Sequence, residues 1–154
     1  MKHLVAVGVV LSLCVFALPP RVHAADLTAA DLERWLQAYQ AAWESRDAEQ
    51  AAGLFTANAS YRVNPFETAH QGRDQIRRYW AEVTRDQQDV RFSYEVLAVS
   101  GNTGIAQWHA EFSARSTGAA IALDGIFVLD FASADKCQRL REWWHLKVDE
   151  APDG

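Results

Sequence analysis

Apolar residues between positions 28 and 83 recur every three or four residues, which is the spacing of one helix face. This pattern predicts three helices: one that begins behind a Thr28/Asp31 cap, a short one over 47–55 with Asp47 as N-cap, and one over about 73–83. The apolar face of the first helix comprises Leu32, Trp35, Leu36, Tyr39, Ala42 and Trp43. That of the third comprises Ile76, Tyr79, Trp80 and Val83. Residues 59–65, between the second and third helices, predict a short strand that stops at a proline.

From residue 90 onwards apolar and polar residues alternate, as in strands with one buried face. The pattern predicts four longer strands, over 90–99, 104–114, 119–131 and 137–148. Short polar segments join them in sequence, so we expect antiparallel hairpins. Helices followed by an antiparallel meander are typical of an α+β domain in which the helices cover one face of the sheet.

The alternation along the last strand decides which side chains face the helices. Glu142 shares a face with Leu140 and Trp144, whereas His145 shares the opposite face with Trp143. We therefore expect Glu142 to point inward and His145 outward. A carboxyl group among aromatic side chains has a raised pKa, which makes Glu142 the first candidate for chemistry. The alternative is a buried polar group that is hydrogen-bonded for structural reasons only.

The N-terminus predicts export. A positive Lys2 precedes an apolar stretch over 4–18, and a proline-containing segment then places Val22 and Ala24 at −3 and −1 of a cleavage point. This is typical of a signal peptide over 1–24, cleaved after Ala24, and hence of a secreted or periplasmic protein. The stretch is too short for a comfortable membrane span, so we expect no stable membrane insertion after cleavage.

The mature chain, 25–154, has the length of a single domain. Loss of Lys2 and Arg21 lowers the basic residues from 15 to 13 against 20 acidic residues, a net charge of −7. That balance argues against nucleic acid or an anionic membrane as partner. Only Cys137 remains, so no disulfide can form within the mature chain.

The predicted outer face offers little for metal chemistry. His109 and Glu111 could be joined by His145, but no further His or Cys cluster supports a metal site. We therefore predict no metal and no cofactor. Trp143 shares this face with branched apolar residues, which favours a homodimer through the outer sheet face.

The order of elements, together with several short motifs, resembles the nuclear transport factor 2-like superfamily, and in particular its SnoaL-like branch. The motifs are Asn64-Pro65-Phe66, Gly72-Arg73-Asp74-Gln75-Ile76, Gly125-Ile126-Phe127-Val128 and Glu142-Trp143-Trp144. The resemblance covers 27–148. It implies a cone-shaped curved sheet wrapped around three helices, a pocket at the wide end and frequent dimerisation. Members include isomerases, epoxide hydrolases, dehydratases, polyketide cyclases and binding proteins, so the fold alone does not name a reaction.

Two groups of enzymes in the superfamily suggest roles for individual residues. Tyr39 falls at the oxyanion tyrosine of ketosteroid isomerases, but their base position holds Asn64 and their second acid is Phe127. An amide does not abstract a proton at neutral pH, which argues against steroid isomerisation by that route. Glu142 and Tyr61 match the last-strand aspartate and the water-positioning tyrosine of limonene epoxide hydrolases.

The positions of the arginine and second aspartate in those hydrolases hold Ala110 and Phe112, so only the half of the site that activates water is implied. We predict Glu142, Tyr39 and Tyr61 as catalytic residues around a pocket for a small apolar or ring-shaped molecule. The predicted ligand-binding residues are Asn64, Trp80, Trp108, Phe112, Phe127 and Trp144. The reaction would be hydrolysis, isomerisation or dehydration. Two alternatives remain open: a carrier without chemistry, and a dimeric interaction module with a filled interior.

Overall fold

The computed structural model describes residues 26–149, within which the chain forms three helices and six strands. The predicted signal peptide lies outside these residues. In chain order the elements are α1 (Ala29–Ser45), α2 (Ala48–Gly53), β1 (Phe55–Arg62), β2 (His70–Gln71), α3 (Arg73–Val83), β3 (Gln87–Ser100), β4 (Thr103–Ala114), β5 (Ala120–Ser133) and β6 (Lys136–Asp149). None of the described helices is long and apolar enough to span a membrane.

Both predicted helix caps are confirmed. At the start of α1 the Asp31 amide donates to the Thr28 hydroxyl at 3.1 Å, and the Thr28 amide donates to the Asp31 carboxylate at 3.1 Å. This reciprocal pair satisfies two backbone donors that the helix cannot satisfy itself. The Asp47 carboxylate accepts in the same way from the amides of Glu49 and Gln50 at the start of α2.

The predicted end of the second helix is wrong. α2 stops at Gly53, and Phe55 is instead the first residue of β1, opposite Cys137 of β6. The Phe55 side chain is fully buried against the ring of Trp35. Burial of a large aromatic side chain in a paired strand outweighs the helix propensity of the alanine-rich segment before it.

The sheet has the order β2-β1-β6-β5-β4-β3. The predicted meander from β3 to β6 is confirmed, and each of its neighbours pairs antiparallel. β1 pairs parallel with β6, which makes the sheet mixed rather than wholly antiparallel. The two-residue β2 at its edge was not predicted. β6 therefore has partners on both sides, and its inward side chains lie near the middle of the inner face.

The inner face of the sheet and the helices enclose one apolar core. Its largest fully buried side chains are Trp80, Trp108, Tyr39, Phe55, Phe127, Phe131, Leu32, Leu36, Ile76, Leu129, Leu140 and Cys137. The predicted orientation of β6 is confirmed, because Glu142 is 5% exposed whereas His145 lies on the exposed outer face. The predicted cone-like α+β fold is thus the fold of this chain.

Candidate active site

The core is not filled at one end. A cavity of about 240 Å³ lies between the helices and the inner face of the sheet. It is lined by Tyr39, Trp43, Tyr61, Tyr79, Trp80, Val83, Gln87, Trp108, Phe112, Ile121, Leu123, Glu142, Trp144 and Leu146. Val83, Trp144 and Leu146 are the large apolar members of this set with exposed surface. They mark the mouth of the cavity, between the end of α3 and the second half of β6.

Glu142 brings a carboxyl group to this apolar cavity. It lies on β6 directly opposite Phe127 of β5, two residues after the buried Leu140. Burial penalises its charged form and raises the pKa of Glu142 to about 8. Hydrogen bonding with the Tyr61 hydroxyl favours the ionised form and offsets part of this shift. The carboxyl therefore changes charge close to neutral pH, where an acid–base group is most effective.

Two tyrosines from different elements meet beside this carboxyl. The hydroxyls of Tyr39 on α1 and Tyr61 on β1 are 2.9 Å apart and hydrogen-bonded to each other. Burial, and secondly the charge of Glu142, raise the pKa of both phenols well above the ordinary value, so both remain protonated. A hydroxyl can accept one hydrogen bond while it donates another. Tyr61 of β1 can thus accept from Tyr39 and donate to Glu142, which orients the carboxyl.

Gly125 makes room for two tryptophans of the cavity wall. It lies on β5 between Trp108 of β4 and Trp144 of β6. A side chain at this position would place its Cβ 2.6 Å from the Trp143 carbonyl oxygen, 2.7 Å from Trp144 Cβ and 2.9 Å from Trp108 Cζ2. All three distances are shorter than real Cβ contacts, so the two indoles can take these positions only beside a glycine.

The tryptophans of the wall differ in how their indole N–H groups are satisfied. Trp43 Nε1 donates to the Gln87 side-chain oxygen at 2.9 Å. Trp80 Nε1 and Trp108 Nε1 are buried and find no acceptor among residues 26–149. Buried donors are rarely left unpaired, because the protein gives up their hydrogen bonds to water without replacement. The buried polar atoms at the cavity end of the core therefore have fewer hydrogen-bond partners than those of an ordinary protein interior.

The relation to known proteins follows from sequence and fold together. The sequence profile of the SnoaL-like domain matches residues 36–140, more than half of the chain. The chain belongs to the SnoaL-like domain family. A search of the curated proteins gives no match.

Solved structures show the same fold at low identity. A provisionally assigned isomerase from Bacillus subtilis superposes with a TM-score of 0.67 at 19% identity, over 75% of this chain and 87% of that one. SalBIII, described as an epoxide hydrolase/cyclase-like enzyme in pyran ring formation in the polyether salinomycin, gives 0.66 at 16% identity, over 75% and 94%. A ketosteroid isomerase-like protein from Erwinia carotovora atroseptica gives 0.58 at 19% identity, over 73% and 92%. At these identities the likeness establishes the fold and no shared activity.

Most of the predicted site residues line the cavity of this SnoaL-like domain. They are Glu142, Tyr39, Tyr61, Trp80, Trp108, Phe112 and Trp144. Two others do not line it. The Asn64 side chain accepts from the Phe66 amide at 3.0 Å in a surface turn, and Phe127 packs within the core at 5.1 Å from the Trp108 ring and 5.3 Å from the Tyr39 ring. Both residues are predicted as ligand-binding from their positions in the family's motifs. A position in a motif does not show how deeply the side chain is buried or whether it borders a cavity.

Two polar residues of the cavity were not predicted as site residues. Tyr79, on the predicted apolar face of the third helix, also borders the cavity, and so does Gln87, the first residue of β3. Helical periodicity indicates that Tyr79 faces inward. It does not distinguish packing against the core from packing beside a space, which depends on side chains of other elements.

The outer face of the SnoaL-like domain carries a separate polar cluster. His109 lies 3.3 Å from Glu111 and 3.4 Å from Asp124 through its two ring nitrogens. Within residues 26–149 no group of three or more His, Cys, Asp or Glu side chains is arranged to hold a metal ion. Trp143 is 47% exposed on the same face, where the sequence predicts a dimer contact.

Proposed function

We propose that this SnoaL-like domain binds a small, mainly apolar, ring-shaped molecule and transfers a proton on it through Glu142. The observation that carries the proposal is the carboxyl group itself. Among the described residues that line the cavity, Glu142 is the one carboxylic acid, and it is 5% exposed among aromatic side chains. A buried carboxyl group with a raised pKa, at a cavity with a mouth, is typical of an acid–base site.

The size of the cavity limits the ligand. An apolar cavity of about 150 Å³ holds benzene, and pockets for drug-sized ligands begin at roughly 300 Å³. At about 240 Å³ this cavity has space to enclose one or two rings. Its apolar mouth favours a neutral ligand.

Isomerisation is the reaction that this set of residues supports best. A single carboxyl group can abstract a proton from one carbon and return it to another, so isomerisation needs no second acid. Hydrolysis by a two-group route needs a separate acid, and the inward positions of β4 where one would lie hold Ala110 and Phe112. With a pKa of about 8, Glu142 has both forms available near neutral pH.

The proton-transfer step can be tested without the natural substrate. 5-Nitrobenzisoxazole is a two-ring probe: a base removes its ring C–H proton, the N–O bond breaks, and a coloured phenolate is released. We expect the protein to accelerate this elimination, with a rate that rises with pH through an apparent pKa of about 8. Glu142→Gln should lower the rate by about 10²–10⁴-fold, the usual contribution of a general base.

Glu111→Gln is the matched control, because the Glu111 side chain is 58% exposed on the outer face. It should leave the rate unchanged. An equal rate in wild type and Glu142→Gln, or a pH profile centred near the pKa of a free glutamate, would overturn the proposal. Unchanged binding of the probe in Glu142→Gln without any elimination in wild type would support the alternative of a carrier.

We also propose that the domain is exported after cleavage behind Ala24 and forms a homodimer through its outer sheet face. The leader pattern of 1–24 and the half-exposed Trp143 support these two points. The mass of the exported protein and sedimentation at two concentrations test them; an uncleaved chain or a monomer at both concentrations would contradict them.

A further inference from the structure

Tyr79 is the tyrosine of the cavity that the proposed proton transfer does not use. It reaches the cavity from α3 and is held there by aromatic contacts. Its ring stacks on His70 at 4.5 Å with an interplanar angle of 27°, and it lies 5.4 Å from the Tyr61 ring. These contacts hold the ring in place, so the hydroxyl is the part of the side chain that can interact with a ligand.

The hydroxyl groups of the three cavity tyrosines differ in their partners. Those of Tyr39 and Tyr61 bond to each other at 2.9 Å. For the Tyr79 hydroxyl no hydrogen bond with another described residue contributes to its pKa, and the hydroxyl is not one of the fully buried unpaired atoms of residues 26–149. A ligand that fills the cavity covers this hydroxyl, which then loses free energy unless the ligand offers it an acceptor. An acceptor on a bound ligand would supply the bond that the protein does not.

Tyr79 is available as a hydrogen-bond donor to such a ligand near neutral pH. Burial, and secondly the charge of Glu142, raise its pKa above the ordinary value of a phenol, so the hydroxyl keeps its proton. Tyr79 and Glu142 line the same cavity, and the Tyr79 ring lies 5.4 Å from the ring of Tyr61, the neighbour of Glu142. A ligand oxygen bound by the phenol would lie near the carbon on which the carboxyl acts.

We propose that the Tyr79 hydroxyl donates a hydrogen bond to the ligand, and that the ligand is a one- or two-ring molecule with a carbonyl or similar neutral acceptor oxygen. This inference rests on the proposed function for the position of the reacting carbon. When a phenol polarises a carbonyl, the protons on the neighbouring carbon become more acidic. An isomerase of this kind removes one of these protons. Tyr79 thus favours the binding of an oxygenated ring over that of a hydrocarbon ring.

A pair of probes isolates this hydrogen bond. 1-Indanone and indane have the same two-ring frame and differ in one carbonyl oxygen. We expect chemical-shift titrations of the ¹⁵N-labelled protein to show 1-indanone binding more tightly than indane by roughly two- to tenfold. Tyr79→Phe keeps the ring that stacks on His70, so it should abolish this preference while the Kd of indane stays unchanged.

Tyr94→Phe is the control, because Tyr94 lies outside the cavity and its hydroxyl bonds the Glu33 carbonyl at 3.4 Å. It should keep the preference. A preference that survives Tyr79→Phe, or one that is lost in Glu142→Gln instead, would overturn the inference. If the proposed function fails, the protein does not accelerate the elimination of 5-nitrobenzisoxazole. The binding of 1-indanone and indane can still be compared in that case.

Discussion

The two ends of the core are built from similar side chains and differ in how well their polar atoms are satisfied. At the closed end Trp35 packs edge to face against Phe55 and Phe131, and its Nε1 donates to the Leu54 carbonyl at 3.1 Å. At the cavity end Trp80 and Trp108 are equally buried, yet neither indole N–H finds an acceptor within residues 26–149.

Glu142 adds to this contrast. A buried carboxyl with a raised pKa at the cavity end has no counterpart among the core residues at the closed end. Buried groups that are unpaired or hard to ionise lower stability, and a protein tolerates them where they serve a function. The closed end therefore stabilises the fold, and the cavity end carries the features of a site.

The largest expected effect concerns Glu142 and pH. Its folded-state pKa of about 8 lies above the ordinary value of 4.5, so between these pH values the folded protein binds more protons than the unfolded chain. The free energy of unfolding must then fall as pH rises through this window and level off above it. At about 1.36 kcal/mol per pKa unit, the loss is roughly 4–5 kcal/mol. Glu142→Gln has no such charge and should be the more stable protein at pH 9.

Urea denaturation at pH 5, 7 and 9 measures this difference. Glu111→Gln, which changes an exposed carboxylate on the outer face, should keep the wild-type pH dependence. A wild-type slope that persists in Glu142→Gln would show that other groups produce it, and that the carboxyl ionises normally.

Two phenylalanines compare the ends of the core directly. Phe131 is 2% exposed at the closed end, so Phe131→Ala should lower the free energy of unfolding by about 3–5 kcal/mol. Phe112 is half-buried at the wall of the cavity, so Phe112→Ala should cost clearly less, because less surface is lost from packing. Chemical denaturation measures both. Equal losses would mean that the cavity end contributes to stability as much as the closed end.

Much of the fold could be predicted from the sequence because its signals are local. The caps at Thr28 and Asp47 and the alternation along β4 to β6 depend on residues close in sequence, and both lead to the observed elements. The alternation also placed Glu142 on the inner face. The start of β1 at Phe55 and its parallel pairing with β6 depend on residues about 80 positions away, and local patterns do not contain them.

The candidate site was predicted only in part, for a related reason. Period-2 alternation tells which side of the sheet a residue faces, and says nothing of whether the space opposite is filled. Phe127 and Trp108 have the same inward orientation, but Phe127 packs within the core and Trp108 borders the cavity. Helical periodicity likewise places Tyr79 on the inward face of α3 without showing that it borders a cavity. Whether an inward residue borders a cavity depends on how much space the packed helices and strands leave unfilled.

The smallest predicted effect tests how the cavity wall is held in place. In Gly125→Ala the new Cβ would lie 2.6 Å from the Trp143 carbonyl oxygen, a backbone atom that cannot rotate away. The strands or the indoles of Trp108 and Trp144 must shift, at a cost of about 1–3 kcal/mol in the free energy of unfolding. Gly53→Ala is the control: its Cβ would meet nothing within 4 Å at the end of α2, so it should be neutral or stabilise by about 0.4–1 kcal/mol. Because the shift falls on the cavity wall, Gly125→Ala should also weaken 1-indanone binding, which Gly53→Ala should leave intact. Loss of stability with unchanged binding would show that the two tryptophans keep their positions without the glycine.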